Sequence, residues 1–368
     1  SGVQITRLDQ MKVSRVPNIL TALVFLASLM TSFALWNYAQ RSADNELQAE
    51  FDFHAHEMID DINQRMATYV QVLFGVRALF TGTESVTQNQ FSTYISSLRL
   101  QEQYPGIQGL SHAPLITHAE KSAHIAKMRK QGFADYSIKP PGEREHYTPV
   151  VYIEPFSERN SEALGYDTYF EAERHAAMVQ ARDSDRASVT GKLTLVQETD
   201  EEVQSGFLVF LPLYREDMPH ATVEQRRHSI YGWVTAVFRM GDLVSHLVDA
   251  RSNQLVLAIY DGDHISDQTR MYASDDQVDP TTPYNPRFHS IERIQISDRV
   301  WTIVIQSTPQ FESSFSNNTP IVVAITGAAF TLLITLLAHA LVRSNRMASE
   351  LAESEERWRF ALEGAGDG

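Results

Sequence analysis

The chain has 368 residues, of which 43% are hydrophobic and 10% aromatic, enough apolar material to bury a substantial core. Its formal net charge of −15 argues against nucleic acid as a partner. The sequence contains no cysteine, which excludes thiol catalysis, thiolate zinc sites and iron–sulfur clusters.

Two apolar stretches, one towards each end of the chain, are long enough to cross a membrane. Residues 16–40 contain no charged side chain, and residues 320–342 contain only His339 as a titratable group. About 20 apolar helical residues cross a hydrocarbon core about 30 Å thick, so we expect transmembrane helices at 16–40 and 320–342. A cleaved signal peptide is the alternative for the first stretch, but its length and the lack of a clear cleavage site before Arg41 disfavour it.

Basic residues on the outer flanks of these stretches predict the orientation of the chain. They are Arg7, Lys12, Arg15, Arg343 and Arg346. Cytoplasmic flanks of membrane spans collect Lys and Arg. We therefore expect residues 1–15 and 343–368 in the cytoplasm and residues 41–319 outside it, in the periplasm of a bacterium whose inner membrane holds both spans. All of the net charge falls in 41–319, which also argues against anionic lipid as a partner there.

Residues 41–81 predict one long helix that follows the first span. Apolar side chains recur at alternating spacings of four and three, with Arg65 at one polar position: Phe51, Ala55, Met58, Ile62, Tyr69, Val72, Val76 and Leu79. This spacing is typical of the seam of a helix that pairs. The seam packs either on the helix's own domain or on a second copy. The two interpretations are compatible, and we expect a homodimer.

Beyond Gly82 the pattern changes to short helices and strands. Helices are predicted at 87–103, with Thr87 as N-cap, and at 171–182. Strands are predicted at 107–111, 150–153, 206–214, 231–238, 255–260, 291–296 and 300–305, the last two joined as a hairpin at 297–299. Short mixed elements in two groups predict an α+β fold, with two small lobes on a long stalk helix.

The sequence carries no catalytic signature and no cofactor motif. His54 and His56 are two residues apart and so lie on different faces of a helix, where they do not chelate one metal. His112, His118 and His124 lack the three- or four-residue spacing of a metal pair. We therefore expect no catalytic residue, metal or cofactor within this chain.

A binding site is better supported, around residues 152–167. The stretch 152–156 (YIEPF) and then 164–167 (LGYD) combine aromatic, glycine and acidic residues after a predicted strand. Small-molecule pockets are mostly apolar, with a few polar groups that orient the ligand. Asp167 is suited to accept hydrogen bonds from ligand N–H groups. The alternative is that Asp167 caps a helix beginning near Phe170.

Five segments occur in the order of a known sensor module: 104–114 (YPGIQGLSHAP), 149–156 (PVVYIEPF), 163–167 (ALGYD), 191–198 (GKLTLVQE) and 206–214 (GFLVFLPLY). Together they resemble the CHASE domain, an extracytoplasmic ligand-sensing domain, over about residues 76–248. The resemblance implies two PAS-like lobes on the long helix, with the ligand in the membrane-distal lobe. The membrane-proximal lobe then covers about residues 231–308.

The resemblance also implies ligand-binding positions. The CHASE domains of plant cytokinin receptors hold their ligand through an Asp, a Leu main chain and a Thr. By motif and spacing these positions fall on Asp167, Val189 and Thr199, with Val in place of Leu. The predicted ligand-binding residues are Tyr152, Asp167, Val189, Thr199, Phe207 and Leu211. The implied ligand is a small molecule, with purine and cytokinin-like compounds among the candidates.

Residues 343–360 predict a charged signalling helix, and residues 353–368 resemble the first turns of a PAS domain. In two-span CHASE proteins, PAS domains and then a cyclic-dinucleotide enzyme or a histidine kinase typically follow the second span. We therefore expect a transmembrane signal receptor with an output beyond residue 368, a diguanylate cyclase or phosphodiesterase acting in cyclic di-GMP signalling. A sensor histidine kinase is the alternative output. A non-enzymatic membrane binding or adaptor module and a membrane-anchored hydrolase are alternatives of other classes.

Overall fold

The computed structural model describes residues 16–196, 203–249, 254–274, 286–314 and 318–365. Its helices are α1 (Val16–Thr81), α2 (Gln88–Ser97), α3 (Leu100–Gln103), α4 (Lys121–Lys130), α5 (Glu158–Ser161), α6 (Ala172–Ser184), α7 (Val223–Ser229), α8 (Met240–Asp249), α9 (Pro309–Ser314) and α10 (Thr319–Ala365). Its strands are β1 (Ile107–Pro114), β2 (Ile116–Thr117), β3 (His146–Tyr147), β4 (Tyr152–Glu154), β5 (Ser188–Val189), β6 (Leu193–Thr194), β7 (Ser205–Tyr214), β8 (Ile230–Arg239), β9 (Leu255–Asp261), β10 (Arg270–Ala273), β11 (His289–Ile296) and β12 (Arg299–Ser307). The described residues of 51–313 form one compact unit, and those of 16–50 with 314–365 form a second.

The larger sheet of the 51–313 unit has the strand order β4-β1-β8-β7-β5, with β6 also paired to β7. All of these pairs are antiparallel. Strands β7 and β8 are buried along almost their whole length. The predicted strands at 206–214 and 231–238 are confirmed. They are apolar throughout because the sheet is covered on both faces.

A helix packs on each face of this sheet. On one face, Met178 of α6 clusters with Phe210 and Trp233, and the indole N–H of Trp233 donates to the Met178 carbonyl at 3.1 Å. On the other face, the ring of Tyr69 from α1 stacks on Phe238 with 5.6 Å between centroids. We call the larger sheet and the segments that cover it the first lobe.

The smaller sheet of the same unit has the antiparallel order β10-β9-β12-β11, and we call it the second lobe. A two-residue turn joins β11 to β12, and its Ser297 adopts the left-handed region at φ 54°. The predicted strands and hairpin of this segment are confirmed. The 51–313 unit is thus mixed helix and sheet, as predicted, and the PAS-like character of its lobes stays a prediction.

The apolar seam of α1 is buried within the 51–313 unit. Phe51, Met58, Ile62 and Val76 are at most 1% exposed, and the Phe51 ring lies 5.8 Å from that of Phe288. The structure therefore shows the seam packed on the chain's own lobes. Pairing with a second copy stays a prediction.

Two of the local features that differ from the sequence prediction have a clear physical cause. The helix expected at 87–103 is split into α2 and α3, because Arg99 adopts a left-handed backbone conformation at φ 49°. Thr87 caps α2 as predicted and forms a capping box with Gln90. Helix α4 was not predicted, because Met128 is its one buried residue and the helix has no apolar stripe to detect.

Two described helices, α1 and α10, contain apolar windows long enough to cross a membrane. Large apolar side chains such as Phe33 and Leu336 are exposed there, as lipid-facing residues would be. The two helices touch through small residues. Ser32 Oγ donates to the Gly327 carbonyl at 3.1 Å and lies 3.1 Å from Thr331 Oγ1. These two helices are accordingly candidate membrane spans.

Candidate ligand-binding site

The first lobe holds a cavity of about 1170 Å³. It lies among the C-terminal end of α1, the segment 82–86, helix α4 and the ends of β1, β4, β7 and β8. Its lining includes the rings of Phe80, His112, His124, Tyr152, Tyr214 and Tyr231. Aromatic walls with a few polar groups are typical of small-molecule pockets. We call it the first-lobe cavity.

His112 is the most deeply buried polar side chain in this lining. Strand pairing places it opposite Val234 on β8 and opposite Tyr152 on β4, so the three side chains share one face of the sheet. The ring is 6% exposed, and its Nδ1 lies 3.2 Å from the Trp233 carbonyl. A carbonyl oxygen only accepts, so Nδ1 carries the proton. Burial lowers the pKa of His112 to about 4, and the ring is therefore neutral at pH 7.

Aromatic rings surround His112. The Phe80 ring lies 4.4 Å from it and the Tyr152 ring 6.0 Å from it, both tilted. The Tyr152 hydroxyl donates to the Val86 carbonyl at 3.1 Å, and burial raises the pKa of this phenol. Tyr152 is therefore a predicted site residue that the structure brings to the cavity.

His124, on α4, is a second neutral imidazole in the lining. Its Nε2 lies 3.0 Å from the Tyr136 hydroxyl. Burial, and then the charge of Lys127, lower the pKa of His124 to about 4. The exposed charged residues of the lining have both signs: Glu84, Lys127, Arg215, Glu216 and Asp217. The exposed charges of the lining therefore have no dominant sign, and its two imidazoles are uncharged.

Asp167 does not line the first-lobe cavity. It is 0% exposed. Its Oδ1 accepts the backbone N–H groups of Thr148 at 2.8 Å and Tyr169 at 3.2 Å, while its Oδ2 accepts Arg144 Nε at 2.9 Å. In this structure the chain's own groups occupy both carboxylate oxygens. A ligand contact at Asp167 stays a prediction.

Two further contacts define the surroundings of Asp167. The Arg144 guanidinium lies over the rings of Tyr147 and Phe170, at 4.9 and 5.2 Å from their centroids. Helix α6 begins at Ala172, and Glu171 is its N-cap residue. The alternative that Asp167 caps this helix is therefore wrong, because its carboxylate bonds the backbone around 148 and 169 instead.

Val189 lies in a set of contacts between the two lobes. Its N–H donates to Asp298 Oδ1 at 2.9 Å, and a few residues on, the Lys192 N–H donates to Asp261 Oδ2 at 2.8 Å. Asp261 also forms a two-point ion pair with Arg299 at 2.6 and 2.7 Å. We define the interlobe clasp as Ser188, Val189, Lys192, Asp261, Asp298 and Arg299.

The remaining predicted residues fall elsewhere. Phe207 on β7 is 0% exposed, stacks on Phe238 at 4.7 Å and meets the edge of Trp301 at 5.0 Å. Leu211 is also 0% exposed and is paired opposite Val234. Thr199 lies outside the described residues. Among the predicted residues that are described, Tyr152 alone lines the first-lobe cavity.

His112 and His124 were considered in the sequence only as metal ligands, so their place in a cavity was missed. Strand β1 runs through Pro114, past the predicted end at residue 111, and a histidine inside a buried strand was the available signal. His124 gave no such signal, because α4 itself was not predicted. Among the described residues, no group of three or more His, Asp or Glu side chains is placed to hold a metal ion.

Residues 84–272, about half of the chain, match the profile of the CHASE domain family. The chain is 20% identical over 375 residues to hybrid signal transduction histidine kinase A of Dictyostelium discoideum, covering 89% of this chain and 17% of that protein. It is 21% identical over 267 residues to "Probable histidine kinase 5" of Oryza sativa subsp. japonica, covering 66% of this chain and 22% of that protein. The chain thus spans about a fifth of the length of the curated relatives it matches.

Among solved structures, an extracellular ligand binding receptor from Desulfohalobium retbaense DSM5692 is similar with a TM-score of 0.42 and 9% identity. The similarity covers 70% of this chain and 40% of that one.

Proposed function

Since the chain belongs to the CHASE domain family, we propose that it is the sensing part of a transmembrane receptor that binds a small molecule in the first-lobe cavity. The observation that carries this proposal is the cavity itself. It has about 1170 Å³ of space lined mostly by residues of the family-matched range, aromatic walls, and a buried neutral histidine. A purely structural lobe has no need of a buried polar ring beside an open volume of this size.

The proposed topology follows from the two candidate spans and their basic flanks. Residues 16–40 and 320–342 cross the membrane, 41–319 lie outside the cytoplasm, and both flanking segments lie inside it. A ligand that favours one arrangement of the lobes shifts an equilibrium by no more than its difference in affinity for the two states. The interlobe clasp joins the lobe with the cavity to the lobe that precedes α9 and the second span.

We propose a histidine kinase as the output. Both curated relatives carry names of histidine kinases, one of them as a probable one, and this chain aligns with only about a fifth of their length. These relatives favour the alternative raised from the sequence over the diguanylate cyclase that was expected first. A histidine kinase and a cyclase are told apart by assaying the full natural protein for autophosphorylation from ATP and for cyclic di-GMP formed from GTP.

Ligand binding is tested by a thermal-shift screen of the 368-residue chain in lipid nanodiscs against a metabolite library that includes purines. Binding stabilises a fold by RT ln(1 + [L]/Kd), about 2.7 kcal/mol at a hundredfold excess over Kd. We expect a stabilising compound whose effect is lost in Tyr152→Ala, with Asp167→Ala run beside it. A well-folded chain that no compound stabilises would leave the non-enzymatic adaptor as the better reading. A compound whose stabilising effect is lost only in Asp167→Ala would indicate a binding site outside the first-lobe cavity.

A further inference from the structure

We propose that His112 is the specificity-determining acceptor of the first-lobe cavity, selecting uncharged aromatic ligands that carry an N–H or O–H donor. The proposal rests on the proposed function, because it names the ligand class for the same cavity. It concerns one atom, the Nε2 of His112.

Nε2 is a free acceptor because of the contact at the other ring nitrogen. Nδ1 faces the Trp233 carbonyl at 3.2 Å and so holds the proton of the neutral ring. In that tautomer Nε2 carries a lone pair and no proton. Among the residues that the structure describes, none is placed to donate a hydrogen bond to Nε2.

The His112 side chain is only 6% exposed, but Nε2 is not among its enclosed polar atoms, so this nitrogen opens on the cavity, where a ligand donor can replace water. Strand β8 leaves space for the ring, because Gly232 lies against it. A Cβ at Gly232 would lie 3.1 Å from His112 Cε1 and 2.8 Å from the Ala113 carbonyl. The strand therefore supports the imidazole in its place beside the cavity.

The surroundings determine what kind of donor fits. Phe80 and Tyr152 present rings at 4.4 and 6.0 Å from the imidazole, so the surroundings of His112 are aromatic and suit a flat aromatic molecule. The Tyr152 hydroxyl already donates to the Val86 carbonyl. No charged side chain among the described residues bonds His112, and the exposed charges of the lining have mixed sign. An uncharged ligand with one donor satisfies the site.

The test uses two probe pairs that differ only in the donor: indole against 1-methylindole, and phenol against anisole. Their affinities are measured by ligand-observed NMR with the 368-residue chain in nanodiscs, and empty nanodiscs are the blank. We expect the donor member of each pair to bind wild type more tightly by about two- to tenfold, the effect of one net hydrogen bond. His112→Phe keeps a ring and should bring the ratio to one. His264→Phe, the matched control at an exposed histidine outside the cavity lining, should leave the ratio unchanged.

A second measurement needs no variant. In chain labelled with ¹⁵N-histidine, indole should shift one Nε2 resonance of the Nδ1–H tautomer, and 1-methylindole should not. Equal binding of both members of each pair to wild type would overturn the proposal, as would a ratio that persists in a folded His112→Phe chain. Absence of binding by all four probes would also overturn it. If a metabolite still stabilised the chain in the thermal-shift screen, the proposed function would be supported and only this ligand class would be rejected.

Discussion

The burial of His112 makes the stability of the first lobe depend on pH in a way that one substitution removes. The pKa of the folded-state ring is lowered by burial to about 4, against an ordinary value of 6.5. The fold thus favours the neutral ring, and the unfolded chain takes up the proton first as pH falls. The stabilising contribution is fully present above pH 6.5 and is lost as pH falls towards 4.

The magnitude follows from the size of this window. A pH of 5 lies about 1.5 units below the pKa of the ring in the unfolded chain, so that ring is protonated. The ring in the folded chain is still mostly neutral at this pH. Each unit corresponds to about 1.4 kcal/mol, so lowering the pH from 7.5 to 5 costs about 2 kcal/mol of unfolding free energy through His112. His112→Phe should lose this dependence while keeping an aromatic ring between Phe80 and Tyr152.

The assay is urea unfolding of the chain in nanodiscs at pH 7.5, 6 and 5, followed by the fluorescence of the buried Trp233 and Trp301. The difference between wild type and His112→Phe isolates the contribution of this ring. His124→Phe measures the separate contribution of His124, whose pKa is also lowered to about 4. Parallel pH profiles for wild type and His112→Phe would refute the reasoning.

Three further substitutions test other parts of the structure. Asp167→Ala should destabilise the first lobe by about 2–4 kcal/mol, because it removes the partner of Arg144 and of two backbone N–H groups, as measured by urea unfolding. Gly191→Ala should cost about 1–3 kcal/mol, because its Cβ would lie 2.5 Å from Arg299 Nη2 inside the interlobe clasp, and hydrogen exchange should show faster opening there. Gly327→Ile should separate α1 from α10, because a Cβ there already lies 3.0 Å from the facing serine of α1.

Each of these has its own control. Asp135 is an exposed aspartate, and Asp135→Ala should leave stability unchanged. An equally small effect at Asp167 would contradict its structural role. In an Arg299→Ala background the added loss from Gly191→Ala should be smaller, with the contacts to Asp261 and Glu173 at 2.9 Å remaining, whereas equal added losses in both backgrounds would locate the cost elsewhere. The separation of the spans is read from disulfide formation between Ser32→Cys and Thr331→Cys, which is unambiguous in a chain without native cysteine. Full cross-linking in the presence of Gly327→Ile would rule out the steric argument.

The sequence was most informative where burial leaves a local pattern. Strands β7 and β12 and the hairpin at Ser297 were predicted because apolar runs and turn residues are visible within ten residues. The capping box at Thr87 is local in the same sense. Helix α4, with one buried side chain, carries no such pattern and was missed.

The candidate site was less predictable, because its contacts join distant segments. Asp167 accepts hydrogen bonds from groups around residues 144–148, about 20 positions earlier in the chain. No local sequence pattern predicts a partner at that distance. His112 becomes a site residue only when β1 pairs with β8 and the Trp233 carbonyl fixes its tautomer. Tyr152 was identified because it lies in a predicted strand within an aromatic stretch, where local composition and pocket composition coincide.

The burial of the α1 seam decides how genetic experiments on this helix should be interpreted. Substitutions at positions such as Phe51 or Met58 would open holes in the protomer's own interior, so their phenotypes would be temperature-sensitive and would reflect lost folding rather than lost pairing. Information on any contact between receptors must come from outward positions of the same helix. Phe53, which is 62% exposed, is the natural place to begin a cysteine scan.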